Sequence, residues 1–251
     1  MPQLDHLVLL VPREVLDQPP ESLTTVFSLY PGGQHADGKT FNTLILLEDG
    51  VYIELIAFST ENLKEGHWWG SMPNGWIDWA LLGEPSDDVR KSLTGTILHP
   101  IVDSPLQGKM FHTVSHHKVE GREETAKRYD GRGVDNRRGN VPFWCHDLTD
   151  RTLRVPPPPS PHPSKVTSIR QLTFIVHRER LPRYRDFYSS LVTLTRDAEN
   201  LMELNLDTPR GGSCKVVVKT PENEMEEEFV GGEDGGPLLY RVSLSEEQRK
   251  I

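Results

Sequence analysis

The sequence predicts an α+β fold built from repeated βαβββ modules. Short apolar strand-like segments recur along the 251 residues, helical segments follow the first strand of each series, and Gly- or Asp-containing turns separate the later strands. The same order returns with little sequence identity. Such repetition is typical of structural modules that pack side by side.

The first series begins with a strand at residues 4–11 (LDHLVLLV). The segment PPESLTTVFSLYPGG then predicts a short helix, because prolines precede its first turn and glycines follow its end. Two strands follow, in QHADGKTFNTLILLEDG and VYIELIAF. Glu48, Asp49 and Gly50 between them are a hairpin-turn signal.

The second and third series follow the same order. GWIDWALLG predicts a strand, EPSDDVRKSLTG a helix with Ser86 as its N-cap, and KMFHTVSHHKVEG, AKRYDGRGV and VPFWCHDLT further strands. The third series has a strand in SIRQLTFIVHR, a helix in RLPRYRDFYSSLVTL and strands in LMELNLD, CKVVVKT and LLYRVSL. The acidic segment PENEMEEEFVGGEDGGP (residues 221–237) is predicted to be a solvated loop.

These series suggest three regions. Residues 1–153 form a domain of two modules, residues 154–165 a proline-rich linker, and residues 166–251 a third module packed on the same domain. The linker sequence RVPPPPSPHPSK favours an extended polyproline II conformation, which is a stiff spacer. The alternative is that it is a ligand for an SH3 or WW partner.

Composition excludes several function classes. A net charge of −9 argues against nucleic-acid and anionic-membrane partners, and no apolar stretch approaches the roughly 20 residues that span a bilayer. Cys145 and Cys214 lie in apolar segments and predict buried, reduced thiols. Without a secretory signal, we expect a cytoplasmic protein. No GxSxG or dinucleotide-binding GxGxxG motif occurs, which argues against nucleophilic-serine and dinucleotide chemistry.

Two ionisable residues interrupt otherwise apolar strands. Alternation places His6 on one face of its strand and Asp5 on the other, while Glu54 shares a face with Tyr52 and Ile56. An unpaired carboxylate in a dry site costs several kcal/mol. A His and a Glu on neighbouring strands suit a divalent Fe, Mn, Zn or Ni ion. The alternative is that a backbone carbonyl satisfies His6 and a basic side chain satisfies Glu54.

The segments LDHLVLLV, GGQHADGKTFNTLILLEDGVYIELIAF, NGWIDWALL and VPFWCHDLT together resemble the glyoxalase-like domain group of the vicinal oxygen chelate superfamily. The resemblance covers roughly the first 165 residues well and the remainder loosely. It implies paired βαβββ modules that form a curved, mostly antiparallel sheet, a cup. It also implies a metal held by a His on a module's first strand and a Glu on its last, which matches His6 and Glu54.

The implied function is binding of a small organic molecule, with a carbonyl, enol or aromatic group, in the cup. In a metal-dependent isomerase, lyase or dioxygenase the metal would act as a Lewis acid. The alternative is a metal-free protein that binds or sequesters a small molecule. Homodimers are common among such proteins, so a homodimer is a further expectation.

Other candidate site residues follow from the resemblance and from local pattern. His146, with Asp147 as an orienting partner, is the expected third metal ligand, although both could instead hold the following turn. Arg128 is expected to supply a cation and, with Glu54, to be catalytic. The expected substrate-binding residues are one histidine and four aromatic residues, whose alternative role is core packing: His35, Phe41, Trp76, Trp79 and Trp144.

Overall fold

The structure is a computed structural model that describes residues 2–35, 37–84, 86, 98–106, 109–114, 139–230 and 238–246. For residues 98–106, 109–114 and 246 it describes the backbone alone. Within these ranges, no helix has the length and apolarity needed to cross a membrane. The predicted helix at residues 84–95, apart from Glu84 and Ser86, and the predicted strand at residues 126–134 lie outside the described residues.

The first module has the predicted strand order. Its elements are β1 (Gln3–Leu10), α1 (Arg13–Asp17), α2 (Glu21–Thr24), β2 (Tyr30–Gln34), β3 (Thr40–Leu46) and β4 (Tyr52–Phe58). In the sheet they lie in the order β2-β3-β4-β1, with β4 parallel to β1 and the other pairs antiparallel. The helix predicted in residues 19–33 is only the single turn α2, and strand β2 occupies the end of that segment. Helix α1 lies before the segment, separated from α2 by Pro19 and Pro20, which cannot donate a backbone hydrogen bond.

The second module continues the sheet from β1. Its strands are β5 (Gly75–Leu82), β6 (Leu98–Leu106), β7 (Lys109–Val114) and β8 (Phe143–Asp147). Strand β5 pairs antiparallel with β1, and the order onward is β5-β8-β6-β7. Strand β7 lies near β2, so the sheet bends round on itself. The predicted α+β class with a curved sheet is confirmed.

The third series repeats the topology of the first. Its elements are β9 (Val166–Ile175), α3 (Leu181–Leu191), β10 (Arg196–Ala198), β11 (Leu201–Asp207), β12 (Ser213–Lys219), α4 (Glu224–Val230) and β13 (Leu238–Glu246). The order β10-β11-β12-β9 matches β2-β3-β4-β1, and β9 is parallel to β12 as β1 is to β4. Strand β13 pairs antiparallel with β9, as β5 does with β1.

Part of the acidic segment forms helix α4, which corrects the expected solvated loop. Glu226 of this helix is buried and accepts hydrogen bonds from Lys219 Nζ at 3.0 Å and from the amide of Glu222 at 2.9 Å. Asn223 Oδ1 accepts from the Glu226 amide at the start of the helix. The helix therefore forms because a buried ion pair and a side-chain cap offset its high charge.

The two faces of the sheet formed by the first two modules, β1 to β8, have different roles. One face buries Leu7, Ile53 and Trp79 in a core shared with the third series, where Trp79 packs 5.1 Å from the ring of Phe174. The register of β1 against β4 places His6, Tyr52 and Glu54 together on the other face. We call this second face the cup face.

The proline-rich segment is attached to the first module. His162 is buried: its Nδ1 accepts from the Ser28 amide at 2.9 Å and its Nε2 donates to the Leu46 carbonyl at 2.8 Å. Arg154 and Val155 at its start are also buried. The spacer is therefore fixed at both ends by side chains that the sequence analysis treated as part of a linker. Recognition of its prolines by an SH3 or WW partner stays a prediction.

The β3–β4 turn provides a test of stability against pH. Burial raises the pKa of Asp49 to about 6, despite a hydrogen bond from the Val51 amide and the charge of Arg210. A carboxyl group with a raised folded-state pKa makes the protein lose stability as pH rises from about 4 through 6. We expect Asp49→Asn, which keeps the acceptor for Val51, to add about 1–3 kcal/mol to the free energy of unfolding at pH 7.

Urea unfolding of this variant and the wild type at pH 4 to 7 measures the effect. The gain should vanish near pH 4, where the wild-type carboxyl is protonated in the folded state. Asp37→Asn is the matched control, because Asp37 is exposed and accepts an equivalent bond from the Lys39 amide. A gain of the same size at pH 4 and pH 7 would contradict the assignment to Asp49 ionisation.

Candidate metal centre on the cup face

His6 lies on the cup face between two carboxylates, with one of them beside each ring nitrogen. It is 3% exposed and stacks on Tyr52 with 4.5 Å between ring centroids. Its Nδ1 lies 2.8 Å from Asp5 Oδ2, and its Nε2 lies 3.7 Å from Glu54 Oε2. The ring is thus fixed in orientation by aromatic packing and by a carboxylate.

Asp5 reaches His6 because of a β-bulge. Strand alternation predicted that the two side chains point to opposite faces, and this is wrong at β1. The register against β5 shifts between Leu4 and His6, which leaves Asp5 as the extra residue of the bulge. Its carboxylate, fully buried, therefore turns toward the Nδ1 atom of its neighbour.

Two arginines neutralise Asp5. Arg154 donates to Asp5 Oδ2 at 3.0 Å, to Tyr52 Oη at 2.8 Å and to Asp147 at 2.9 Å, while Arg151 also pairs with Asp5 and Asp147. Burial would raise the pKa of Asp5, but the charges of Arg154 and Arg151 hold it well below its ordinary value. Asp5 is therefore an ionised acceptor, and the His6 proton that it binds is on Nδ1.

Glu54 is an ionised carboxylate inside the sheet. Its Oε1 accepts from Asn42 Nδ2 at 2.7 Å and lies 3.3 Å from His35 Nε2. Burial would raise the pKa of Glu54, but hydrogen bonding and charge from His35, with smaller contributions from His6 and Asn42, lower it to about 2. Burial likewise would lower the pKa of His35, and Glu54 raises it above its ordinary value.

Strands β2 and β3 hold Asn42 against Glu54. The Asn42 side chain crosses over β2, where Gly33 donates its amide hydrogen to Asn42 Oδ1 at 2.8 Å. A Cβ atom at Gly32 would lie only 1.9 Å from the same oxygen. A glycine at that position therefore gives Asn42 the room it needs beside the β2 backbone.

His35 is the most accessible member of the cluster. Its side chain is 24% exposed, against 4% for His6 and 8% for Glu54. Its Nδ1 hydrogen-bonds Thr40 Oγ1, which directs Nε2 to the carboxylate. The cluster can thus be reached from solvent on the side of His35.

The chemistry of these atoms fits a divalent metal. His6 donates its Nδ1 proton to Asp5 and points Nε2 toward an ionised Glu54 oxygen. An Nε2 atom without a proton and a carboxylate oxygen that face one another favour a cation between them. Two imidazoles and one carboxylate suit iron, manganese, nickel or zinc, and a carboxylate behind a ligand histidine is the usual supporting arrangement.

A second group of ligand atoms lies on the other side of His6. One atom each from Asp5, His6 and Cys145 lie within 4.8 Å of one another. However, the Asp5 oxygens already bind two arginines, and burial raises the pKa of the Cys145 thiol well above its ordinary value. A protonated thiol and a neutralised carboxylate are poor ligands, so this group supports His6 rather than binding metal itself.

The structure does not bring every predicted site residue to this cluster. His146 does not reach the cluster. Its Nε2 lies 3.6 Å from Glu84, and the neighbouring residue Cys145 lies beside His6 instead. The pairing of β3 with β4 puts Phe41 on the face opposite Glu54, where Arg13 stacks on its ring at 4.1 Å. Arg128 lies outside the described residues.

The predicted tryptophans belong to the other face. Trp79 and Trp144 are 1% exposed and form part of the core shared with the third series, and Trp76 packs against that core. They therefore lie in or against this core and not at the polar cluster around His6 and Glu54. Asp78, also on β5, accepts a hydrogen bond from Trp69 Nε1 at 2.9 Å.

Sequence reasoning missed Asn42, Asp5 and Arg154. Asn42 carried a usable signal, because it interrupts the apolar strand TFNTLIL as Glu54 interrupts YIELIAF. Asp5 carried none, since the bulge that turns it inward depends on pairing with β5. Arg154 joins the cluster across 149 residues of sequence, a separation that local pattern does not span.

Two four-stranded modules that join antiparallel through their first strands in one curved sheet, with His6 on β1 and Glu54 on β4 of one module, are typical of the vicinal oxygen chelate type. The family comparison agrees and is more specific. Residues 4–191 match the family model described as a glyoxalase-like domain, and the chain belongs to that family.

Comparison with a solved structure supports the fold. A hypothetical protein from Staphylococcus aureus is similar with a TM-score of 0.56 at 13% identity, and the match covers 88% of this chain and 87% of that one. A xylose isomerase-like TIM barrel/4-hydroxyphenylpyruvate dioxygenase fusion protein gives a TM-score of 0.48 at 14% identity. That match covers 98% of this chain and 37% of the fusion protein. No curated protein sequence matches the chain significantly.

Proposed function

We propose that this protein is a metal-dependent enzyme that acts on a small carbonyl or enol compound, as an isomerase, lyase or dioxygenase. His6, Glu54 and His35 would hold one divalent iron, manganese, nickel or zinc ion. The carrying observation is the 3.7 Å approach of His6 Nε2 to an ionised carboxylate, with Asp5 behind the other ring nitrogen. When bound, the metal supplies Lewis acidity toward a substrate oxygen.

Other residues of the chain orient the proposed metal ligands and shield them from water. Asp5 and Tyr52 orient His6, Asn42 orients Glu54, and the burial of both keeps water from their polar atoms. His35, the exposed member, must give up its Nε2 proton before that nitrogen can bind a metal. Metal binding should therefore release a proton and weaken as pH falls.

The sequence assigned the third ligand to His146, and the proposal replaces it with His35. His35 is 3.3 Å from Glu54, whereas His146 pairs with Glu84. The two histidines therefore form a matched pair of variants for the test.

One observation favours a second candidate, a metal-free small-molecule binding protein. His35 and Asn42 already satisfy Glu54 Oε1, so this part of the cluster is complete as a buried hydrogen-bond network. In that case His35 and Glu54 would present a fixed dipole to an uncharged ligand. Measured metal content separates the two candidates.

The test uses protein purified without an affinity tag, stripped with chelator and titrated with Fe²⁺, Mn²⁺, Ni²⁺ or Zn²⁺. We expect about one equivalent of at least one metal to bind, with at least ten-fold weaker binding in His35→Ala. His146→Ala should bind like the wild type. No binding of any of the four metals, or loss of binding in His146→Ala alone, would overturn the proposal.

A further inference from the structure

A cavity separate from the proposed metal centre lies between β5 on one side and α4 and β13 on the other. Its volume is about 650 Å³, and its walls come from the start of β5, from Gly139 and Asn140, and from α4 and β13. His6, His35 and Glu54 are not among its lining residues. This volume lies within the range of about 300–1,000 Å³ that is usual for small-molecule sites.

The walls are aromatic. Trp68, Trp76, Trp79, Phe229 and Tyr240 all line the cavity. Trp68 and Phe229 are each 39% exposed, which is unusual for such large apolar side chains. Flat rings that remain partly open to solvent favour a planar, apolar ligand that stacks between them.

Two buried donors in the same walls have no acceptor among the residues that the structure describes. Asn140 is 7% exposed and Trp79 is 1% exposed, yet Asn140 Nδ2 and Trp79 Nε1 bond no atom in the described part of the chain. Leaving a buried donor unsatisfied costs about 1–3 kcal/mol. An acceptor oxygen on a ligand would satisfy either donor. An aromatic hydrocarbon has no such oxygen and would leave both donors unsatisfied.

Backbone geometry brings Asn140 to this position. Gly139 has a φ of +86°, and a Cβ atom there would lie 2.6 Å from the Ile77 carbonyl oxygen. Only glycine allows this close approach to β5, and the approach sets Asn140 into the cavity wall. The orphan donor is thus held in place by a close backbone contact.

The charge of the walls selects a neutral acceptor. Asp78 also lines the cavity, and its carboxylate already accepts from Trp69 Nε1 and from the Trp79 amide. An acidic side chain in the wall, within a protein of net charge −9, disfavours an anionic ligand.

We propose that this cavity is a second binding site, which takes a neutral, planar aromatic ketone or related carbonyl compound. The rings stack on Trp68, Trp76 and Phe229, and the carbonyl oxygen accepts from Asn140 Nδ2. The site is independent of the metal centre, since the two share no residue. It also gives the third series a role, because α4 and β13 supply one wall.

The test uses three probes of nearly equal shape with the full-length protein. 2-Acetylnaphthalene has a neutral carbonyl, 2-isopropenylnaphthalene replaces that oxygen by carbon, and 2-naphthoate adds a negative charge. Isothermal titration or quenching of tryptophan fluorescence gives each affinity. We expect the ketone to bind about ten-fold more tightly than the alkene and more tightly than the anion.

Variants assign the effect to the cavity. Asn140→Leu, close in size, should weaken the ketone about five- to ten-fold and leave the alkene unchanged. Trp68→Ala, at the exposed rim, should weaken both neutral probes. Glu54→Gln is the control for the metal centre and should change neither. Absence of saturable binding of the ketone, or equal ketone affinity in the wild type and Asn140→Leu, would overturn the proposal.

Discussion

Glu54→Gln is expected to reduce bound metal from about one equivalent to none detectable while the protein remains folded. The substitution removes the charge that attracts the cation but keeps the shape. A glutamine carbonyl can accept from Asn42 Nδ2, and its amide can donate to His6 Nε2, 3.7 Å from the present Oε2. The loss of an anionic ligand from a two-imidazole site should weaken metal binding at least a thousand-fold, about 4 kcal/mol.

The same variant should change the acid stability of the metal-free protein. A carboxyl whose pKa falls from its ordinary value to about 2 on folding stabilises the protein above pH 4.5, and this contribution is lost as pH falls toward 2. The wild type should therefore lose more stability between pH 5 and pH 3 than Glu54→Gln does. The pKa of His35, followed by NMR, should fall in the variant because Glu54 is what raises it.

Stripped Glu54→Gln and wild type, compared by metal titration and by thermal unfolding at pH 3, 5 and 7, provide both measurements. Glu203→Gln is the control, since Glu203 pairs with Lys215 in the third series, away from the cup face. Full metal binding by Glu54→Gln would show that Glu54 is not a ligand and that the polar cluster is structural.

Prediction from sequence worked where a local pattern has one structural meaning. A histidine and a glutamate that each interrupt an apolar strand implied two side chains on one face, and β1 lies beside β4 with His6, Tyr52 and Glu54 on that face. The topology of the first and third series followed from the same periodicity. The family resemblance and the fold class agree with what the comparisons show.

Prediction failed where strand register decides the outcome. Moving one residue along a strand reverses the face, and in β8 this difference separates Cys145, near His6, from His146, near Glu84. Asp5 was assigned to the wrong face because a bulge adds a residue to β1. Register and bulges depend on the partner strand, and the partner is not encoded within the strand's own sequence.

Arg154→Met is expected to cost about 3–5 kcal/mol of folding free energy at pH 7. Arg154 is 5% exposed and binds Asp5, Asp147 and Tyr52, so methionine would fill its volume but leave two carboxylates near the core without their main partner. Urea unfolding gives the free energy. Arg185→Met is the control, because Arg185 pairs with a half-exposed Asp197 and should cost less than about 1 kcal/mol.

The pH dependence of this loss identifies its cause. In the wild type, Arg154 and Arg151 hold the pKa of Asp5 below its ordinary value, so their contribution is present at neutral pH and disappears as Asp5 is protonated in acid. The difference between wild type and Arg154→Met should therefore shrink as pH falls from 7 to 3. A difference independent of pH would instead point to lost packing of the arginine stem.

Metal affinity links this network to the proposed function. Asp5 fixes the His6 proton on Nδ1 only while it is ionised, and Arg154 and Arg151 keep it ionised. Arg154→Met should therefore weaken metal binding about ten- to a hundred-fold even though it touches no ligand atom. Asp5→Asn in the same background should restore part of the stability, by removing the unpaired charge, but not the metal affinity. Recovery of both together would mean that Arg154 acts on folding alone.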